Sequence, residues 1–436
     1  MPRLLRWATT LTSSFAIAVG VGLTQMLPML GSSTDLYGAR SLNELITLRD
    51  QIIEELETPV QDASEPGFLN SVLSETPSFY RDRELFKQLK EVEVQIIIEQ
   101  RANDNWKQAI RLATQAIRTD ESNSSDSLAI KKQSQQLWKQ AIGNLNEIPE
   151  NSLIAHQASD KSKQYQVSLM SITKEIQLAQ TTFLENIRDE SDLSKTAMIS
   201  VCNLNRDCAH LRGEQPPASP ASLIKVPIAV ALLDKLAKEN ISLEEQVYVD
   251  GGNFTEDASE IRARTSYSLK KLMGEMIDHS SNIATNQLID YLGQDYINKT
   301  LEKQGFKETK VKFKLMGDRI MPKRPGSGRN RLTSAELTEM MVKTYNYEYP
   351  GAEALIEALN RQYDRAIGYA ALEDLEAQWL GEKTGQNSRV VGTTLAVSID
   401  GERYIITVID NNTGNIPEIR KAISKIANHI IQNGHL

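Results

Sequence analysis

Apolar positions along the chain recur at helical spacing through its first half and turn to strand-like runs only after residue 195. Leu42, Leu45, Ile46, Ile52, Ile53 and Leu56 recur at helical spacing, as do Leu85, Leu89, Val92, Val94 and Ile97. Residues 41 to 187 read as helical, polar and free of strand alternation, and residues 189–195 as a polar break. Beyond the break, 197–201 and 209–212 predict two strands, and an apolar helix is expected over 222–238. Residues 242 to 378 read as mostly helical, with a Gly/Pro/Arg loop at 316–331. Strands follow at 382–386, 390–399 and 403–410, the last two joined by Asp400-Gly401, a strong hairpin signal. A final amphipathic helix over 417–432 has Pro417 in its first turn and Gly434 past its end. The expected fold class is therefore α+β: a five-stranded antiparallel sheet flanked by helices, with a mostly helical middle, preceded by an all-α module. The domains are read as 1–34, 35–190 and 191–436.

The helical module contains one internal echo. Trp106-Lys107-Gln108-Ala109-Ile110 returns as Trp138-Lys139-Gln140-Ala141-Ile142, a period of 32 residues. A repeat of that length resembles a tetratricopeptide-type unit, although two copies are visible where arrays usually need three or more. A plain helical hairpin with a chance match is the other reading. The module is expected to act as a spacer or to bind a protein partner.

The N-terminus reads as an export element. Arg3 and Arg6 precede residues 7–30, which carry no charge, and the next charged residue is Asp35. About 20 apolar residues span a bilayer, and two leading arginines keep the N-terminus cytoplasmic. No small-residue cleavage site stands out, so an uncleaved membrane anchor is favoured over a cleaved signal. The body of the chain is expected outside the cytoplasm. Cys202 and Cys208 flank a turn-like segment in that exported part, where a disulfide and two buried thiols both remain open readings.

A formal net charge of −8 argues against nucleic acid as a partner. Two cysteines, five scattered histidines and no His-Glu-x-x-His segment leave no zinc signature, and no cofactor is expected.

Candidate chemistry begins at Pro220-Ala221-Ser222-Leu223-Ile224-Lys225. Ser222 falls at the expected helix start and Lys225 one turn on, so both share a face. A helix N-terminus favours an alkoxide and disfavours an ammonium, shifting the pair toward nucleophile and base. Ser280-Ser281-Asn282 follows 58 residues after Ser222, and Lys383-Thr384-Gly385 begins 161 residues after it. In this order and on these elements, the three motifs resemble the penicillin-recognising serine enzymes, and the spacing is most similar to class A β-lactamases.

The resemblance covers residues 195–436 and implies a role for each matching position. Ser222 would attack a carbonyl while Lys225 takes its proton. Ser280 would relay a proton to the leaving nitrogen, and Asn282 would hold the substrate amide and Lys225. Lys383 would add positive charge beside Ser280. The Thr384 hydroxyl would meet the substrate carboxylate on the Gly385 strand. The N–H groups of Ser222 and Gln386 would form the oxyanion hole, and Arg389 is a candidate carboxylate partner. The implied substrates are β-lactams or cell-wall stem peptides.

Two positions depart from the family. Ser281 stands where the lactamases carry aspartate. In Asp318-Arg319-Ile320-Met321-Pro322, Met321 stands where the class A loop carries the glutamate that activates the deacylating water. Methionine cannot accept a proton, so slow deacylation is expected. A D,D-peptidase and a non-catalytic binding protein remain the other readings.

Overall fold

The computed structural model describes residues 38–58, 77–120, 127–257, 259–412, 414–434 and 436. The segment expected to anchor the chain, residues 7–30, lies outside them. Among the described residues no helix is long and apolar enough to cross a membrane. The chain divides into two compact units, with the boundary between Ile176 and Gln177.

The first unit is helical: α1 (Leu42–Glu57), α2 (Pro77–Asp120), α3 (Leu128–Asn146) and the opening of α4 (Ala155–Glu190). The Ser41 hydroxyl caps α1 by accepting the Glu44 N–H. Ala109, Ala116 and Ala141 let helices approach closely around Trp138, which meets Tyr165 edge-on at 5.1 Å. The two copies of the pentapeptide lie on consecutive helices, α2 and α3. A tetratricopeptide repeat of about 34 residues holds two helices, whereas α2 alone runs for 44.

The second unit is built on one antiparallel sheet in the order β2–β1–β7–β6–β5. Its strands are β1 (Met198–Asn203), β2 (Cys208–Leu211), β5 (Gln378–Asn387), β6 (Val390–Ile399) and β7 (Glu402–Asp410). Cys202 faces Cys208 across the β1–β2 ladder, and the two form a disulfide with Cα atoms 4.1 Å apart.

Both faces of the sheet are covered, which is why its strands read as near-continuous apolar runs. Ile199, Val201, Val397, Ile406 and Val408 point to one face, against Ile419, Ile423 and Ile426 of α12 (Ile416–Asn433). Met198, Cys202, Ala396, Ile405 and Ile409 point to the other. There lies α5 (Lys225–Glu239), apolar all round and buried from Lys225 to Leu233.

The domain boundary falls earlier than the polar break suggested because the end of α4 belongs to this core. Leu184 and Ile187 are buried with the α12 residues, and Lys425 pairs with Glu190 at 2.6 Å.

Three details differ from the sequence expectation. The helix expected from residue 222 begins at Lys225, and Ser222 sits in a preceding 3-10 turn, Ala221–Ile224. The middle holds α6 (Leu269–Ile277), α7 (Asn282–Leu292), α8 (Gln294–Lys303), α9 (Ser334–Tyr345), α10 (Ala352–Asn360) and α11 (Gly368–Leu372). It also holds a two-stranded sheet of β3 (Gln246–Tyr248) and β4 (Ser266–Ser268), each too short to show alternation. Finally, β5 extends beyond residues 382–386 at both ends.

Strand β5 lies directly on the Ser222 turn, and Gly385 permits that approach. A Cβ there would fall 2.9 Å from the Leu223 backbone nitrogen and 3.2 Å from that of Ser222. Backbone cannot yield as a flexible side chain can. Gly385→Ala should therefore cost about 1–3 kcal/mol, read as a lower urea midpoint; an unchanged midpoint would contradict the close packing.

Candidate active site

The site is organised around a lysine that sees no solvent. Lys225, 0% exposed, opens α5 with its Nζ bonded to Ser222 Oγ at 3.1 Å, Ser280 Oγ at 3.0 Å and Asn282 Oδ1 at 2.9 Å. The Ser280 carbonyl oxygen is a fourth partner. Burial pushes the Lys225 pKa well below its ordinary 10.5, the charge of Lys383 pushes the same way, and Asp257 opposes both. A depressed amine bonded to a hydroxyl is an arrangement that can withdraw a proton. The backbone is strained where it delivers these groups: Ala221, just before Ser222, has φ +45°, and Ser280 has φ +58°.

The Ser280–Asn282 turn is held from beneath. Ser281, fully buried, caps α7 by accepting the Ala284 N–H and donates to Asp257 Oδ2 at 2.6 Å. Asp257 also accepts the N–H groups of Ile283 at 3.0 Å and Ser259 at 2.8 Å. Burial would raise the Asp257 carboxyl, but these hydrogen bonds outweigh it and hold it below the usual range. A carboxylate therefore does sit at this turn, supplied by a loop 24 residues away rather than by position 281.

The 316–322 loop borders the same turn. Asn282 Nδ2 donates to the Met316 carbonyl at 3.1 Å. Glu256, in the segment that carries Asp257, accepts the Arg319 and Ile320 N–H groups at 3.1 Å each. Its carboxylate presses on Gly317, where a Cβ would fall 2.0 Å from Oε2. Glu256 thus clasps loop backbone, and both its oxygens are engaged there. Met321 is 55% exposed.

Strand β5 brings in the second lysine. Lys383, also 0% exposed, bonds to the Thr384 carbonyl at 3.0 Å and Gln362 Oε1 at 3.4 Å. Burial pushes its pKa down to about 8, with the charges of Asp364, Glu382 and Asp278 resisting. The sequence placed Lys383 beside Ser280. Its electrostatic reach to Lys225 is evident, but the hydrogen bonds of Ser280 Oγ and Lys383 Nζ go to different partners. Thr384 Oγ1 donates to Asp364 Oδ2 at 3.2 Å. Glu382, on the same strand, accepts from Gly368 N at 2.8 Å and Thr393 Oγ1 at 3.0 Å, and burial pushes its carboxyl up to about 7.

Gln386 is exposed just past Gly385. Arg389 is exposed in the turn between β5 and β6, where its N–H bonds to Asn387 Oδ1 at 2.9 Å, so the structure does not draw it into the cluster. Asp257, Gln362 and Asp364 were missed by sequence reasoning because no local spacing links them to the motifs they serve. Among the described residues, two groupings place ligand atoms close enough to hold a metal. Cys202 and Cys208 of the first are spent in the disulfide, while in the second Glu275 and Asp278 already face Lys271 at 2.8 Å and Arg361 at 3.3 Å.

Comparison with known proteins follows the same lines. The structure is similar to PBP-A, at 22% identity over 58% of this chain and 97% of that one, TM-score 0.50. It is similar to the TLA-1 extended-spectrum β-lactamase at 16% identity over 58% and 99%, TM-score 0.50. A β-lactamase from Chitinophaga pinensis gives 17% over 59% and 100%, TM-score 0.50. At such identities the likeness speaks for the fold. No curated protein matches the chain. Residues 182–433 match the family model described as the beta-lactamase enzyme family. They carry the sheet, the two fully buried lysines and the Ser222 turn, and the chain belongs to that family.

Proposed function

We propose that this chain is an active-site serine hydrolase whose Ser222 is acylated by β-lactams and released slowly. The observation that carries the reading is the contact of Lys225, buried and depressed in pKa, with both the Ser222 and Ser280 hydroxyls. In acylation the Lys225 amine takes the Ser222 proton, Oγ bonds to the carbonyl carbon, and the carbon–nitrogen bond breaks. Ser280 passes a proton to the departing nitrogen, and Lys225 returns one to Ser280. The lie of Gly385 against Ser222 supports an oxyanion hole from the N–H groups of Ser222 and Gln386. Deacylation lacks the family's loop glutamate: Met321 accepts no proton, and each Glu256 oxygen already accepts a loop N–H. Loss of a general base typically costs about 10²–10⁴-fold.

A second reading, a D,D-peptidase acting on cell-wall stem peptides, is favoured by that same missing base, since such an enzyme has no need to hydrolyse penicillin. An exported location belongs to either reading and rests on the uncharged run at residues 7–30.

A fluorescent penicillin should label the purified protein, and Ser222→Ala should abolish the label. Absence of any adduct would favour a vestigial binding pocket. Met321→Glu should shorten the adduct lifetime by about 10²-fold, within the range for a general base; an unchanged lifetime would show that residue 321 does not face the acyl carbonyl.

The pH dependence follows from the two lysines. Acylation needs neutral Lys225, so the rate should rise with pH along a limb well below 10.5. It needs charged Lys383, so the rate should fall above about 8. Lys383→Arg, charged at all accessible pH, should remove the falling limb; a limb that stays near 8 would assign it to another group.

A further inference from the structure

The chemistry at Thr384 does not match the substrate carboxylate that the resemblance assigned to it. Its side chain is 5% exposed, and its hydroxyl donates to the carboxylate of Asp364 at 3.2 Å. Asp364 is itself fixed, because its other oxygen accepts the Ala366 N–H at 3.1 Å. The neighbouring ammonium, Lys383, already faces the charges of Asp364, Glu382 and Asp278. Arg365, next in sequence, lies over the rings of Tyr369 and Trp379 at 5.1 and 5.2 Å, and Arg389 is exposed in its turn.

Resting on the serine-hydrolase reading above, we infer that Asp364 is a specificity-determining residue: it disfavours acyl donors with a free carboxylate beside the scissile amide and favours donors with a neutral N–H there, such as a continuing or amidated peptide. A substrate carboxylate at Thr384 must displace Asp364 or lie against it as a like charge, and juxtaposed like charges are strongly unfavourable in a desolvated cleft. An amide N–H at the same place instead finds Asp364 Oδ2 as its acceptor. The competing explanation is local: the Ala366 bond makes Asp364 a cap for its own turn, with no part in selection.

The test compares benzylpenicillin with its methyl ester, which removes the charge and keeps the ring. Acylation of Ser222 is followed by intact mass at pH 6, where Lys383 keeps its proton even if losing Asp364 lowers its pKa from about 8. The native protein should take the ester at least as fast as the acid. Asp364→Asn should raise the acid-to-ester rate ratio about tenfold, and Asp364→Glu should restore the native preference. The inference is overturned if the native protein takes the acid faster than the ester, or if Asp364→Asn shifts the ratio less than threefold. Should the variants not fold, the native comparison decides alone. If neither donor labels the native protein, the serine-hydrolase reading itself falls and takes this inference with it; if both label it in the wrong ratio, only the inference falls.

Discussion

An amine buried beyond the reach of water fixes this site. Stripping an ammonium of solvent costs several kcal/mol unless acceptors replace the lost water. Lys225 has four oxygens around it, from Ser222, Ser280 and Asn282. The first turn of α5 and the first residue of α7 must stay in register for those bonds to persist. Asp257 contributes by tying Ser281 and the Ile283 N–H together beneath the turn. Strain at Ala221 and Ser280 is tolerable because packing on both sides over-determines the geometry.

The second lysine completes the electrostatics. Lys225 and Lys383 are both fully buried, yet their surroundings differ. Three carboxylates support the charge on Lys383, whereas Lys225 has hydroxyls, an amide and a carbonyl at contact distance and Asp257 farther off. Two like groups held in unlike environments titrate apart. Their mutual repulsion widens that gap.

The large elements were readable in the sequence because they obey local periods. The β6–β7 hairpin announces itself through Asp400-Gly401, and α12 through Pro417 and Gly434. The three motifs could be found because each is contiguous, and the structure brings Ser222, Lys225, Ser280 and Asn282 into one hydrogen-bonded group. The 3-10 turn at Ala221–Ile224 could not be told from a helix start, since both put the apolar residues at similar spacing. The repeated pentapeptide suggested a superstructure, while its two alanines serve a single helix pair. Asp257 and Glu256 reach the 281 and 319–320 positions across intervening elements, and no period in the chain encodes such a reach. Arg389, near the right strand in sequence, lies on its exposed turn.

The end of α4 has a bearing on how this protein can be dissected. The stretch after Glu190, polar and bounded by turns, has the look of a severable tether. Cutting there would leave the sheet without Leu184 and Ile187, opening the apolar face of α12 to water, and without the Glu190 carboxylate that meets Lys425. The sheet-bearing half is thus an autonomous body only when it carries a helical prefix from the far side of the apparent joint.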